Sequence, residues 1–411
     1  MFGFTCKPAV ADDENNGSAI TGARSRWTEG EAMATERNGE GLFGLKISSG
    51  FWRDALAGLS LASMNIPQVL GYARIAGMPA VTGLYTVLLP LLAFAALGAS
   101  RHLVVAADSA TAAIFSGALS EMAPVGSGAY ISMVSAVALL NAGFLLVARL
   151  CRLGFLADFL SRTVLVGFLA GVGVQVGLGM LYDMLGLVSD RHTPVLQALE
   201  LERGIPRANG MAALISCVAC LILLLGQKYM PRKPVALAVI GLGMLLGWSG
   251  LPGAHGVRLL GAVQGGVPVL HVPVVPWENI LALLPVSASC VFVIIAQSAA
   301  TSRAFADMFH ETVDENRDIL GLSAANAVAG LSGTFTVNGS PTQTAMAVRV
   351  GAMTQRAQVV FAGVTLCVLL TLTGPLAWLP HCVLASVVFC VAMGMVDLSA
   401  LNHIRRESPG E

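Results

Sequence analysis

The sequence predicts an all-α integral membrane protein whose two halves repeat one plan, each with a helix broken inside the bilayer. Three observations support this: an apolar composition, a series of long apolar runs, and two interrupted segments at matching places. Of the 411 residues, 55% are hydrophobic and 12% are charged, and the mean hydropathy is +0.74. Soluble domains carry about 25% charged residues, so this chain needs lipid as its solvent. The zero net charge argues against a nucleic-acid partner.

Apolar runs recur along the chain from Ala55 onward, and a helix that spans a bilayer needs about 20 predominantly apolar residues. The long runs are 55–73, 79–97, 129–149, 163–185, 211–226, 234–249, 279–300, 357–377 and 381–396. Three shorter segments, at 104–120, 319–335 and 340–350, raise the prediction to about twelve membrane segments. The polar stretch 186–209 and the Gly/Pro/Val-rich stretch 250–277 are predicted loops, and the second can pair as short strands.

These runs divide the chain into five predicted parts. They are a disordered cytoplasmic tail at 1–50, a first transmembrane repeat of seven segments at 51–249, an extracytoplasmic loop at 250–277, a second repeat of five segments at 278–397, and a cytoplasmic tail at 398–411. The first tail is polar and has no apolar run of the signal-peptide type. Most of the 24 Lys and Arg residues fall on the side of the N-terminus, which predicts that both termini are cytoplasmic in an inner (plasma) membrane.

An internal repeat relates the interrupted segments. Residues 104–114 read VVAADSATAAI and residues 336–346 read TVNGSPTQTAM. Each begins as extended chain, turns through small polar residues and then starts a short helix. Broken helices at corresponding places in two halves indicate a transporter site near the bilayer midplane.

A half-helix that starts inside the membrane leaves its first amide groups unpaired, and its dipole adds about half a positive charge there. Two such ends that face each other form an anion site without Lys or Arg. The amides expected to point at the anion are those near Ser109, Ala110, Thr111, Ser340, Thr342 and Gln343. The hydroxyl groups in this set either donate to an oxyanion or cap the helices.

Three further polar residues lie near these breaks. Asp108 is interpreted either as a helix N-cap or as a proton carrier whose neutralisation admits the anion. Gln68 follows Pro67, which should kink its helix, and Tyr72 lies one turn further on. Gln68 and Tyr72 offer a polar donor and an aromatic wall, while packing between helices is the alternative for Gln68.

Four stretches of the sequence resemble those of one protein family. The chain resembles the SulP sulfate permeases in the run LAGLSLASMNIPQVLGYARIAGMPAVTGLYTVLLPLLAFAALGASRHLVVAADSATAA, which is similar to their first three helices. FLSRTVLVGFLAG at 159–171, FTVNGSPTQTAM at 335–346 and HCVLASVVFCVAMGMVD at 381–397 resemble their fifth, tenth and twelfth helices. The likeness covers roughly residues 45–400.

The resemblance implies a fold of two inverted seven-helix repeats, in which a core domain moves against a gate domain. It also implies that the anion lies between the third and tenth half-helices, near Gln68 and Tyr72. The predicted substrate site is Gln68, Tyr72, Ser109, Ala110, Gln297, Ser340, Pro341, Thr342 and Gln343. Asp108 is the candidate for proton coupling. No cofactor and no metal site are predicted.

Three departures from the family pattern matter. Gln297 stands where the family commonly has a glutamate, and Gln343 stands where it usually has lysine or arginine, so the two lost charges balance. The second repeat is expected to be truncated, without the last two helices and the STAS domain. The expected partners are therefore membrane lipid, the anion, and either a second copy of the chain or a subunit that supplies the missing gate helices.

The predicted function is secondary active transport of a small anion (sulfate, bicarbonate or a dicarboxylate), by proton coupling or exchange and by alternating access. One alternative is a nucleobase permease of the same architecture. Another is a transport-dead regulatory membrane subunit. An enzyme is not expected, because the sequence contains no HExxH motif, no GxSxG turn and no clustered carboxylates.

Overall fold

The computed structural model describes residues 49–152, 162–187, 200–202, 204–230, 235–261, 266–371 and 373–395. The predicted tails at 1–50 and 398–411 therefore lie almost wholly outside the described residues. The helices are α1 (Ser49–Ile75), α2 (Ala80–Thr86), α3 (Leu89–Leu97), α4 (Ser109–Leu119), α5 (Gly128–Leu150), α6 (Arg162–Met184), α7 (Gly210–Tyr229), α8 (Val235–Trp248), α9 (Leu251–Ala254), α10 (Trp277–Phe309), α11 (Glu315–Leu331), α12 (Pro341–Arg349), α13 (Arg356–Thr371), α14 (Thr373–Leu376) and α15 (His381–Met395). The strands are β1 (Val105–Ala107) and β2 (Val337–Gly339).

The helices follow the predicted apolar runs closely. By length and hydropathy, three parts of the described chain can each cross a bilayer: Ala80–Leu97, Gly128–Leu150 and Trp277–Phe309. Five further helices are apolar but shorter, among them the half-helix α4. The prediction of a predominantly helical membrane protein agrees with this architecture, with two three-residue strands added at its centre.

The run predicted as one segment at 79–97 is interrupted between α2 and α3. Two local features end α2: the Thr86 hydroxyl donates to the Gly83 carbonyl at 2.6 Å, and Pro90 lies in the first turn of α3. Proline has no amide hydrogen, so it cannot continue the hydrogen-bond ladder of the preceding helix.

The loop predicted at 250–277 contains no paired strand within its described residues. It forms the short helix α9 and one isolated bridge between Leu259 and Pro380. The Leu260 amide donates to the Leu379 carbonyl at 2.8 Å, which fastens this loop to the chain just before α15.

Packing divides the helices into two groups. In the core group, α5 packs on α10 and α11, α3 packs on α11, and α1 packs on α13. In the gate group, α15 packs on α6 and α7, and α8 packs on α7. The groups meet where α1 contacts α8 and α15, and where α4 contacts α6.

Close packing within the core group requires glycine at Gly83. An added Cβ there would lie 2.1 Å from the Val69 carbonyl oxygen on α1, while an added Cβ at Gly143 on α5 has nothing within 4 Å. We expect Gly83→Ala to destabilise the fold by about 1–3 kcal/mol, because backbone must move. Gly143→Ala should cause no loss. Thermal unfolding of the two purified variants in detergent tests this, and equal midpoints would contradict the close α1–α2 contact.

Candidate functional site

The strands β1 and β2 form a two-stranded antiparallel sheet at the centre of the fold. Val105 pairs with Gly339, and Ala107 pairs with Val337. The Ser340 amide continues the ladder by donating to the Val104 carbonyl at 3.0 Å. Because each strand leads directly into a half-helix, this pairing brings the N-termini of α4 and α12 to the same place.

Two side chains of α12, in the second half of the sequence, add hydrogen bonds to the chain at β1. The Thr344 hydroxyl accepts the Val104 amide at 3.0 Å and donates to the Ser340 carbonyl at 2.7 Å. The Gln343 amide nitrogen donates to the Ala107 carbonyl at 3.0 Å. Strand β1 is therefore hydrogen-bonded to α12 as well as to β2.

Buried polar side chains of the core helices hold the other edge of β2. Asn326 on α11 donates to the Val337 carbonyl at 2.9 Å and accepts the Val337 amide at 3.1 Å. Ser298 on α10 accepts the Gly339 amide at 2.9 Å. Asn326 and Ser298 are not among the predicted site residues, since nothing in their local sequence pattern shows that they meet β2.

The N-terminus of α4 is capped by a carboxylate. Asp108 has extended backbone angles, and its Oδ2 accepts the Ala110 amide at 3.0 Å. The Thr111 hydroxyl donates to the Asp108 carbonyl at 3.3 Å. In this conformation the Ala110 amide, which was expected to point at the anion, is already bonded to an acid of the protein.

The N-terminus of α12 differs, because no side chain caps it. Ser340 occupies the N-cap position without a side-chain bond to the helix, and its hydroxyl lies 3.2 Å from that of Thr342. Pro341 follows in the first turn, where its missing amide hydrogen costs nothing. The amides of Thr342 and Gln343 are thus the first donors of a helix end that has no acid beside it in sequence.

A polar network joins the two ends. The Asn338 amide group donates to Gln297 Oε1 at 2.5 Å, and the side chains of both residues approach the Asp108 carboxylate as hydrogen-bond donors. The Tyr72 hydroxyl lies beside the Thr342 side chain and close to Asp108. The structure therefore brings three of the predicted site residues, Tyr72, Gln297 and Thr342, into one network at the Asp108 carboxylate, and it adds Asn338.

Gln68 and Gln343, two further predicted site residues, contact the half-helix α12 and the strand β1, respectively. Gln68 lies on α1, which runs unbroken through Pro67, and its amide nitrogen is 3.7 Å from the sulfur of Met346 on α12. Gln343 and Gln297, which were expected to replace two balancing charges, bond to different partners. Among the described residues, the side-chain oxygens of Gln68, Gln343 and Asn338 are buried without a hydrogen-bond partner.

A small apolar cluster, which we call the seam, lies where the helices of the site meet the gate group. It consists of Ala110, Ala113, Val176, Met180, Met184, Ala385, Val388 and Ala392. These residues come from α4 in the core group and from α6 and α15 in the gate group. Contacts of this kind carry no directional hydrogen bonds, so they resist sliding less than a polar interface would.

Comparison with known proteins identifies the fold around this site. The family model described as the sulfate permease family matches residues 51–411. The chain belongs to this family. It is therefore a multi-pass membrane protein from a family of transporters, and the prediction that it is not an enzyme is confirmed.

Two curated relatives are named as sulfate transporters. A probable sulfate transporter of Mycobacterium tuberculosis is 31% identical over 354 residues, which are 86% of this chain and 63% of the relative. Low affinity sulfate transporter 3 of Stylosanthes hamata is 28% identical over 379 residues, which are 86% of this chain and 58% of the relative. The chain thus spans about three fifths of the length of these two proteins.

Two solved structures share the fold. The murine anion transporter Slc26a9 superposes with a TM-score of 0.83 at 20% identity, covering 98% of this chain and 68% of the other. The transmembrane domain of the cyanobacterial bicarbonate transporter BicA gives 0.76 at 22% identity, covering 86% and 91%. These likenesses confirm the predicted inverted-repeat fold with core and gate domains.

The Thr344 hydroxyl gives a direct test of the link between the two halves. Thr344→Val keeps the shape of the side chain but leaves the buried Val104 amide without its acceptor, so we expect a loss of about 1–3 kcal/mol in stability. Thr371 is a matched control: its hydroxyl also donates to the carbonyl four residues earlier, at 2.6 Å, but it is exposed at the end of α13. Thermal unfolding in detergent should distinguish the variants, and an equal effect of both would contradict the bridging role.

Proposed function

We propose that this chain binds a small anion at the N-terminus of α12 and carries it across the membrane by alternating access. The observation that supports this most strongly is the β1–β2 pairing, since it brings an uncapped helix end beside a second helix end within the core of the fold. Helix N-termini attract anions through their free amides and their dipole. Hydroxyl groups of Ser340, Thr342 and Tyr72 supply further donors around the same place.

We place the bound anion against the amides of Thr342 and Gln343, within reach of the Ser340 hydroxyl. Uncharged donors of this kind suit sulfate, bicarbonate or a dicarboxylate, and the two curated relatives described above carry names of sulfate transporters. Gln68 and Gln297 complete the polar wall on the α1 and α10 sides, while Ser109, Ala110 and Pro341 shape the helix ends.

Asp108 is proposed as the proton site that couples this binding to a gradient. Its carboxylate holds the Ala110 amide and lies between the two helix ends, so it repels an incoming anion while it is charged. Protonation removes that charge and weakens the cap, which frees donors for the substrate. If transport is by exchange instead, a counter-anion rather than a proton is the coupled ion.

The proposed location is an inner (plasma) membrane with both termini in the cytoplasm. Trp52 is exposed at the start of α1, while Trp248, Trp277 and Trp378 are exposed near helix ends predicted to be extracytoplasmic. Tryptophan favours the two membrane interfaces, so these residues mark the borders of the bilayer. A second copy of the chain as partner belongs to the same proposal.

Blocking the α12 end should stop transport. The Ser340 side chain is fully buried at the proposed site, so Ser340→Trp should abolish uptake of labelled sulfate, bicarbonate or succinate into proteoliposomes. Ser289→Trp is the control, because Ser289 is on the exposed face of α10 and bonds only to the Pro285 carbonyl of its own helix. No uptake of any of the three anions by the unmodified chain would overturn the proposed function.

The coupling role of Asp108 can be separated from its capping role by one substitution. Asn caps helices about as well as Asp, so Asp108→Asn should keep the fold while removing the charge. We expect the variant to take up the anion at a rate that an inward proton gradient no longer changes. A gradient effect equal to that of the unmodified chain would exclude Asp108 as the proton site.

A further inference from the structure

A pocket lies at one end of the contact between the core and gate groups, away from the half-helices. Arg74 reaches it from the last turn of α1, while Asp183 reaches it from the end of α6. Arg258 and His381 come from the loop after α9 and from the start of α15. We call this the outer pocket, because it lies on the side predicted to be extracytoplasmic. Its lining includes Arg74, Asp183, Gly186, Gly256, Arg258 and His381.

The outer pocket carries more positive than negative groups. Arg74 forms an ion pair with Asp183, and both side chains are partly exposed. Arg258 is exposed at the rim and close enough to act electrostatically on the His381 ring. His381 Nδ1 is buried, with no hydrogen-bond partner among the described residues. One carboxylate thus faces two guanidinium groups and an imidazole that still has hydrogen-bonding capacity.

The gate side of the pocket is held in place by backbone bonds. The His381 amide donates to the Arg258 carbonyl at 3.0 Å, and the Gly261 amide donates to the Ala377 carbonyl at 3.1 Å. Gly256 has a φ of +74°, a left-handed conformation that favours glycine. Arg258 and His381 are therefore positioned together, whereas Arg74 belongs to the core group and moves with it.

The Arg74–Asp183 salt bridge joins the core group to the gate group, since Arg74 lies on α1 and Asp183 lies on α6. The seam beside it is apolar. An anion that takes Asp183's place on Arg74 would therefore remove a polar restraint on the relative motion of the groups.

We propose that the outer pocket is a second anion site, which takes a small oxyanion between Arg74, Arg258 and His381. Guanidinium groups present paired N–H donors that match the oxygens of sulfate, carbonate or carboxylate groups. The bound oxyanion shares or replaces Asp183 as the partner of Arg74, and so links arrival of the anion to release of the core–gate ion pair. This inference rests on the proposed function for the class of ligand.

Hydrogen exchange with mass spectrometry on the purified chain tests the site without relying on transport. Sulfate, compared with gluconate at equal ionic strength, should slow exchange in segments 181–187, 255–260 and 377–384. We call the proposed anion site between the α4 and α12 ends the central site. The protection should persist in Ser340→Trp, in which the central site is blocked. Arg258→Gln should raise the sulfate concentration for half-maximal protection about tenfold, as expected when one charge-assisted hydrogen bond is lost. Arg207 is exposed on the side predicted to be extracytoplasmic. Arg207→Gln should therefore leave the sulfate concentration for half-maximal protection unchanged.

Three results would overturn the inference. Protection of segments 104–112 and 336–346 alone would leave the central site intact and exclude the outer one. Protection of the outer segments that is unchanged in both Arg258→Gln and Arg74→Gln would show that the pocket's cations do not bind the anion. Absence of protection in every segment of the unmodified chain would contradict the proposed function as well as the second site.

Discussion

Three residue pairs between β1 and β2 hold together two half-helices that could not persist alone. The half-helix α12 has 9 residues and α4 has 11, while isolated helices shorter than about 12–15 residues are marginal even in favourable sequences. Neither is long enough to cross a bilayer, so each leaves backbone groups at a depth where water is scarce. The ladder, with Thr344 and Asn326 at its edges, pairs backbone groups of the two strands and fixes where both helix ends point.

The two helix ends are alike in backbone but opposite in charge environment. The α4 end is satisfied by the Asp108 carboxylate, and the α12 end is left open between Ser340 and Pro341. Gln297 and Asn338 surround the single acid with neutral donors, so the site stays polar without a Lys or Arg in it. This asymmetry is the physical basis of our proposal that anion binding depends on the protonation of Asp108.

Much of this arrangement could be predicted from the sequence because it depends on local sequence patterns. Apolar length located the helices, and the short polar interruptions at Asp108 and Ser340 located both breaks. The interruption near Pro90 was not predicted, because it lies inside an otherwise apolar run whose length suits one spanning helix. The contacts of Asn326, Asn338 and Thr344 could not be predicted, because each joins parts of the chain whose meeting depends on tertiary packing. Thr344 and Val104 are separated by 240 positions.

The position of the anion is the central claim, and selenate offers the most direct measurement of it. Selenium scatters anomalously, so crystals of the chain grown with selenate would locate the anion independently of transport or stability. We predict an anomalous peak within hydrogen-bonding distance of the Thr342 and Gln343 amides and the Ser340 hydroxyl. At saturating selenate, a map with no peak between α4 and α12 would contradict the account.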